Sequence, residues 1–220
     1  MWQLKDGIYS DDEFPFFNLV TTKISGDMKD AAARAKLCSL NGVDPGGLVC
    51  AEQVHGSFVA VAGKKDGGMF IKGADGLVSA EKGTALAIFT ADCVPVFLGA
   101  KGKACSIVHA GWRGLYKKII PEAVKLLSVQ FGVSPREIAA LIGPHICPKC
   151  YAIGPEIREA FGLSATDEYF DLGREAVRQL NNAGVTSVTT GAFCTLHDKD
   201  MLFSYRKDKT SSRIMSLVKI

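Results

Sequence analysis

Four histidines and seven cysteines are spread over the 220 residues, few enough for each to be weighed for metal or nucleophilic chemistry. His55 stands in Gln53-Val54-His55-Gly56, where an apolar stretch meets glycine. His109 closes another apolar run and opens His109-Ala110-Gly111-Trp112-Arg113-Gly114, and Cys93 follows Thr90-Ala91-Asp92. Imidazole and thiolate donors suit zinc or copper, and three protein donors leave a coordination position for water or substrate. Separations of 38 and 16 residues between them are unlike a structural zinc finger, whereas donors at separate strand ends are what a catalytic cleft needs. Hydrogen-bonded histidines beside a buried thiol would account for the same residues without a metal. So would a Cys-His nucleophile, with Asp92 adjoining Cys93 and His55 or His109 as its base. Residue types alone leave these readings open.

Gly111-Trp112-Arg113-Gly114 permits a tight turn, with a helix expected immediately after it. Free amides at a helix start, beside the Arg113 guanidinium, would form an anion pocket. Trp112 would stack on a base or cap the core. A rival cluster is His145-Ile146-Cys147-Pro148-Lys149-Cys150, whose Cys-x-x-Cys spacing fits half a zinc knuckle or a redox pair. No second Cys-x-x-Cys accompanies it and no βαβ redox context surrounds it, so ordinary packing is its expected role.

Short apolar runs at 84–89, 94–98 and 104–108 predict strands that deliver Asp92-Cys93 and His109 at their ends. Pro95 has no amide donor, which predicts an edge strand or an irregular first residue. The Val-rich stretch 48–62 reads as one strand, or two broken at His55-Gly56. Residues 28–40 read as a helix ended by Asn41-Gly42, and 115–129 as the main central helix, kinked or restarted at Pro121. Ser134-Pro135-Arg136-Glu137 has capping-box spacing for a single turn before a strand at 138–142. Helices are expected at 155–161 and 172–180, and closing strands at 185–190 and 201–205. Strands and helices mix without strict alternation, which points to the α+β class.

With 47% hydrophobic and 22% charged residues the chain lies far from the disordered class. A net charge of +3 is too small to argue for nucleic acid, and Lys117-Lys118, Arg206-Lys207 and Lys209 read as a solvated face. The odd, scattered cysteines do not resemble a secreted disulfide framework. Met1 to Phe14 has no apolar run behind a basic head, and no stretch nears the roughly 20 apolar residues of a membrane span. The cytoplasm is the expected compartment.

Glu52–Gly56, Gly73–Val78, Phe89–Val96 and His109–Gly114 together closely resemble the YfiH-like family, also called the polyphenol oxidase or multicopper oxidoreductase laccase family and DUF152. Its members include the peptidoglycan editing factor and bacterial relatives of the human laccase-domain protein. The resemblance continues through Ile142-Gly143-Pro144, Tyr151–Gly154, Cys194-Thr195 and Phe203–Asp208, so it runs from about residue 48 onward. It implies one domain over residues 1–220, α+β with a mixed sheet flanked by helices. It also implies a metal, usually zinc with copper possible, on His55, Cys93 and His109. The implied activities are phosphorolysis of adenosine, inosine, guanosine and methylthioadenosine, and deamination of adenosine. Asp92, Asp75 and Arg113 are the expected catalytic groups, with Lys23, Gln53, Gly111, Arg113 and Arg206 contacting substrate or phosphate. Purine nucleoside and phosphate are the expected partners of a monomer or small homo-oligomer, without nucleic acid or membrane. Copper-dependent polyphenol oxidation, editing of cell-wall precursors and a metal-stabilised scaffold are the competing readings. Relatives carry an Arg-x-Gly-Gly-Val-Ser pattern where this chain has Thr21–Gly26, which puts Lys23 in the place of an arginine.

Overall fold

The computed structural model describes residues 1–191 and 193–220. An antiparallel meander of β1 (Gln3–Lys5), β2 (Ile8–Ser10) and β3 (Phe17–Thr21) leads to α1 (Ala31–Leu40). The Asp30 carboxylate caps that helix by accepting from the Ala33 amide at 2.7 Å. Four short strands follow: β4 (Leu48–Ala51), β5 (Val59–Val61), β6 (Phe70–Ile71) and β7 (Gly76–Ser79). Then come the long apolar strands β8 (Ala85–Thr90), β9 (Val94–Ala100) and β10 (Ala104–Ala110). α2 (Trp112–Tyr116) and α3 (Ile119–Phe131) precede β11 (Ala139–Ile142), and α4 (Pro155–Phe161) and α5 (Leu172–Asn182) precede β12 (Ser187–Thr190). The single-turn α6 (Tyr205–Asp208) and β13 (Ile214–Lys219) complete the order.

The strands form two mixed sheets, ordered β1-β2-β3-β13-β8-β4-β6 and β12-β11-β9-β10-β7-β5. Their inner faces share one apolar layer, in which Val49, Leu86 and Ile88 of the first meet Leu77, Phe97, Ile107 and Leu141 of the second. Alternate residues Val96, Leu98 and Val108 point the other way, onto Ile120, Val124 and Leu127 of α3 and Leu180 of α5. Outside the first sheet, Leu37 and Cys38 of α1 cover Leu48, Ala85 and Leu217. Both faces of β8, β9 and β10 are therefore buried, which is why those strands read as continuous apolar runs instead of alternating ones. The α+β class and flanking helices are as the sequence predicts, with the mixed sheet present as a facing pair.

Several local expectations change. Residues 48–62 form two strands that pair in different sheets, because the chain crosses from one to the other at 52–58. β9 is interior, between β11 and β10, and not an edge. Pro95 is tolerated because its carbonyl accepts from Gly143 just past the end of β11, so its missing amide faces a finished ladder. The helix expected at 115–129 is divided by Lys118, whose φ of 64° is left-handed, and Pro121 sits in the first turn of α3. Residues 201–205 are no strand: Met201 and Leu202 both donate to the Asp198 carbonyl in a turn, and Leu202 plugs the shared core. The sheet is instead closed by β13, between β3 and β8. The capping box at Ser134–Glu137 forms as its spacing predicts. Among the described residues, no helix is long and apolar enough to cross a membrane.

Candidate metal centre

Strand register brings the three candidate ligands together. In the β9–β10 hairpin His109 lies opposite Pro95 and Ala110 opposite Val94, so Cys93 arrives one residue beyond the ladder, against Gly111. A Cβ on Gly111 would stand 3.0 Å from the Cys93 sulfur and 3.6 Å from His55 Cδ2. The glycine keeps that space clear. β10 also pairs with β7, placing Val108 opposite Gly76, and the His109 amide donates to the Asp75 carbonyl at 2.8 Å. One imidazole, one thiolate and one carboxylate are thereby fixed by adjacent strand ends.

His55 comes from the crossover between β4 and β5, and Asp75 shapes that loop. Its buried carboxylate accepts from the amides of Val54 (3.1 Å), His55 (2.9 Å) and Gly56 (2.6 Å). Turning these N–H groups inward puts Gln53 and His55 at φ 63° and 60°, where each non-glycine residue costs about 1–3 kcal/mol. Charge-assisted bonds to the carboxylate offset that strain. Asp75 also meets His109 Nδ1 at 2.9 Å. That contact puts the Nδ1 proton toward the carboxylate and leaves Nε2 to face the cluster.

His55, Cys93 and His109 each offer one donor atom, and these atoms lie within 4.8 Å of one another. The cluster runs from exposed His55 through half-buried Cys93 to buried His109. Burial would raise the Cys93 thiol, but the imidazoles of His109 and His55 outweigh it and hold the group down to about 6. Burial would lower His109, yet the Cys93 thiolate and the Asp75 carboxylate lift it to about 9. Asp75 is also desolvated, and its bonds to His109 and to the Gly56 and His55 amides keep it below the usual carboxylate range. A thiolate, two imidazoles and a clear space beside Gly111 fit a soft divalent ion.

The remaining expected residues divide into two groups. Arg113 stacks 4.4 Å from the Trp112 ring centroid, and Arg206 stacks 5.0 Å from that of Tyr151. Burial pushes the Tyr151 hydroxyl up to about 12; Cys93 adds to the rise, while Arg206 and Arg113 oppose it. These groups therefore share one neighbourhood beside the cluster, and Tyr151 is a member that residue spacing did not single out. Asp92, expected to carry protons, ties loops together. Its carboxylate accepts from Thr195 Oγ1 (2.6 Å), Ser204 Oγ (2.7 Å) and the Arg206 amide (2.6 Å). Gln53, expected at substrate, grips the Phe89 backbone with both amide atoms at 2.7 Å. Lys23 donates to the Lys199 carbonyl at 2.6 Å and lies over the Phe203 ring. A groove lined by Ser57, Phe58, Glu122 and Leu126 contains none of the three donors, so donor chemistry and not groove size locates the site.

A mixed-sheet α+β sandwich holding an imidazole and a thiolate at strand ends, with a second imidazole from a crossover loop, defines a protein with a candidate transition-metal centre. The family model for multi-copper polyphenol oxidoreductase laccases matches residues 2–220. A purine nucleoside phosphorylase of Streptomyces coelicolor is 36% identical over 188 residues, covering 80% of this chain and 76% of that one. The purine nucleoside phosphorylase YfiH of Escherichia coli K12 is 36% identical over 187 residues, covering 79% and 74%. Among solved structures, YlmD of Geobacillus stearothermophilus superposes with a TM-score of 0.90 at 27% identity, over 99% of this chain and 98% of that one. The chain belongs to this YfiH-like family.

Proposed function

We propose that this protein is a zinc-dependent purine nucleoside phosphorylase with adenosine deaminase activity, acting on adenosine, inosine, guanosine and methylthioadenosine. His55, Cys93 and His109 would hold the ion, which when bound supplies Lewis-acid polarisation of a substrate or water oxygen. Asp75 keeps the His109 ring oriented and its Nδ1 proton in place. Arg113 and Arg206, stacked on Trp112 and Tyr151, would hold phosphate for attack on ribose C1′ and offset the charge on the departing base. The observation that carries the reading is the placing of a three-donor cluster beside two aromatic-stacked guanidinium groups. Names of relatives support the reaction class.

Histidine accounting argues against four-copper oxidation. Of four histidines, two join the cluster, His145 pairs with the Gly143 carbonyl at 2.9 Å, and His197 lies with other cysteines. None remains to build further copper sites.

The test is nucleoside turnover by purified protein with and without phosphate, resolving free base, ribose 1-phosphate and inosine formed from adenosine. Base release should require phosphate and disappear on chelation. Arg113→Ala should raise the phosphate KM. Phosphate-independent base release would defeat phosphorolysis, and an unchanged KM and turnover in the variant would remove Arg113 from anion binding.

A further inference from the structure

Cys147, Cys150, Cys194 and His197 offer four donor atoms that all lie within 4.8 Å of one another, and the Thr195–Asp92 hydrogen bond links their neighbourhood to that of Cys93. Two tight turns build the set. Cys147-Pro148-Lys149-Cys150 closes with the Cys150 amide donating to the Cys147 carbonyl at 3.0 Å, and Cys194 and His197 have the same two-residue gap. The turns dock through a parallel bridge between His145 and Cys194 and a Thr195 amide bond to the His145 carbonyl at 3.1 Å. His197 places Nε2 3.3 Å from the Cys150 sulfur and Nδ1 3.9 Å from that of Cys147. The Cys147 amide points at the Cys194 sulfur at 3.3 Å, as backbone N–H groups do around metal thiolates. Three sulfurs and one imidazole nitrogen are thereby gathered into one cluster.

We infer that these residues bind a second zinc ion, structural in kind. Zinc at about 2.3 Å from sulfur and 2.0–2.1 Å from nitrogen sets tetrahedral donors about 3.6–3.8 Å apart, within the spread of this cluster. Three thiolates and one imidazole fill the coordination shell and leave no position for substrate. Packing alone does not explain the set: Cys147 and Cys150 are half-buried and His197 is exposed, so they are not core hydrophobes. The three cysteines of the set are free of disulfides.

The ion has a mechanical task. Ile146, next to Cys147, donates its amide to the Asp92 carbonyl at 3.0 Å, and Thr195, next to Cys194, donates its hydroxyl to the Asp92 carboxylate. Tyr151 follows Cys150 directly. A tie between the two turns thus fixes the loop that carries Cys93 and the aromatic platform under Arg206.

The test is zinc content per folded chain, by elemental analysis and native mass spectrometry on zinc-replete, dialysed protein. Two equivalents are expected in wild type, one in Cys93→Ser and one in Cys150→Ser or His197→Ala. The wild-type count stands even where a variant fails to fold. Cobalt replacement gives a second readout: an intense sulfur-to-cobalt charge-transfer band should survive in Cys93→Ser, since three thiolates remain at the second site. A single equivalent in wild type that Cys93→Ser abolishes would overturn the inference. So would Cys147 and Cys150 recovered as a disulfide in metal-replete protein, or a Cys150→Ser chain that keeps both ions. None of these outcomes depends on which nucleoside is turned over.

Discussion

Cys93 and His109 are gathered by strand register and His55 by a crossover loop folded onto Asp75, whereas Cys147, Cys150, Cys194 and His197 are gathered by two tight turns. The first cluster has three donors, one exposed, and an acidic partner behind one imidazole. The second has four donors and no carboxylate hydrogen-bonded to its histidine among the described residues. An open shell with an oriented imidazole suits chemistry, and a closed shell suits a clamp. The contrast also explains how each is encoded: register hides its ligands behind long separations, while turns write theirs as short repeats.

Paired substitutions break the comparison most directly. Cys93→Ser should drop nucleoside turnover to background with a small change in thermal midpoint. Cys150→Ser should retain the first ion and measurable turnover but lose stability; a deficit of about 3 kcal/mol would lower the midpoint by roughly 6–12 °C in a chain this long. The same profile in both variants, by calorimetry and initial rates, would erase the distinction.

A smaller effect is expected from Asp75→Asn, which keeps the side chain's shape and removes its charge. Metal affinity or turnover should fall by about 10–100-fold, the usual cost of losing a partner behind a ligand imidazole. Competition with a zinc chelator measures it, and unchanged affinity and turnover would show that the carboxylate serves only the loop around His55.

The finest distinction is in protons. Near pH 7 in the metal-free protein, Cys93, held at about 6, is mainly thiolate, and His109, raised to about 9, is protonated. Metal uptake at this cluster should therefore release about one proton, from His109. The number should rise as pH falls through 6, when Cys93 also carries a proton, and decline as pH passes 9. Affinity should accordingly increase with pH across that window. Calorimetry of Cys150→Ser in buffers of different ionisation enthalpy isolates the first cluster, and release independent of pH would refute the thiolate–imidazolium assignment.

Much of the candidate site was legible because its donor residues follow or end apolar runs. The runs before Cys93 and His109 became β8 and β10, and Gly111 stands where a side chain would obstruct the cluster. The role of Asp92 was not legible, since adjacency to Cys93 says nothing of the three donors that reach it from residues 195–206. His197 escaped notice because Cys147-x-x-Cys150 prompts a search for a second Cys-x-x-Cys, and the matching half ends in histidine. In the fold, β1 is wholly exposed and three residues long, so it carries no apolar pattern to read. The apolar character of 201–205 pointed to a strand because burial of Leu202 in a core plug and burial in a sheet look alike in sequence.

The position of β13 bears on how the protein is made. It lies between β3 and β8, antiparallel to both, yet leaves the ribosome long after either. Until Ile214–Lys219 emerges, the nascent chain holds β3 and β8 with the strand that joins them missing, each offering unpaired amides and carbonyls. Such edges recruit other strands. The six-stranded sheet needs nothing beyond β12, so every strand of the first cluster's sheet is available before the seven-stranded partner that covers it can be completed. The gap reserved for β13 is therefore the place where this order of synthesis leaves the sheet open to mispairing.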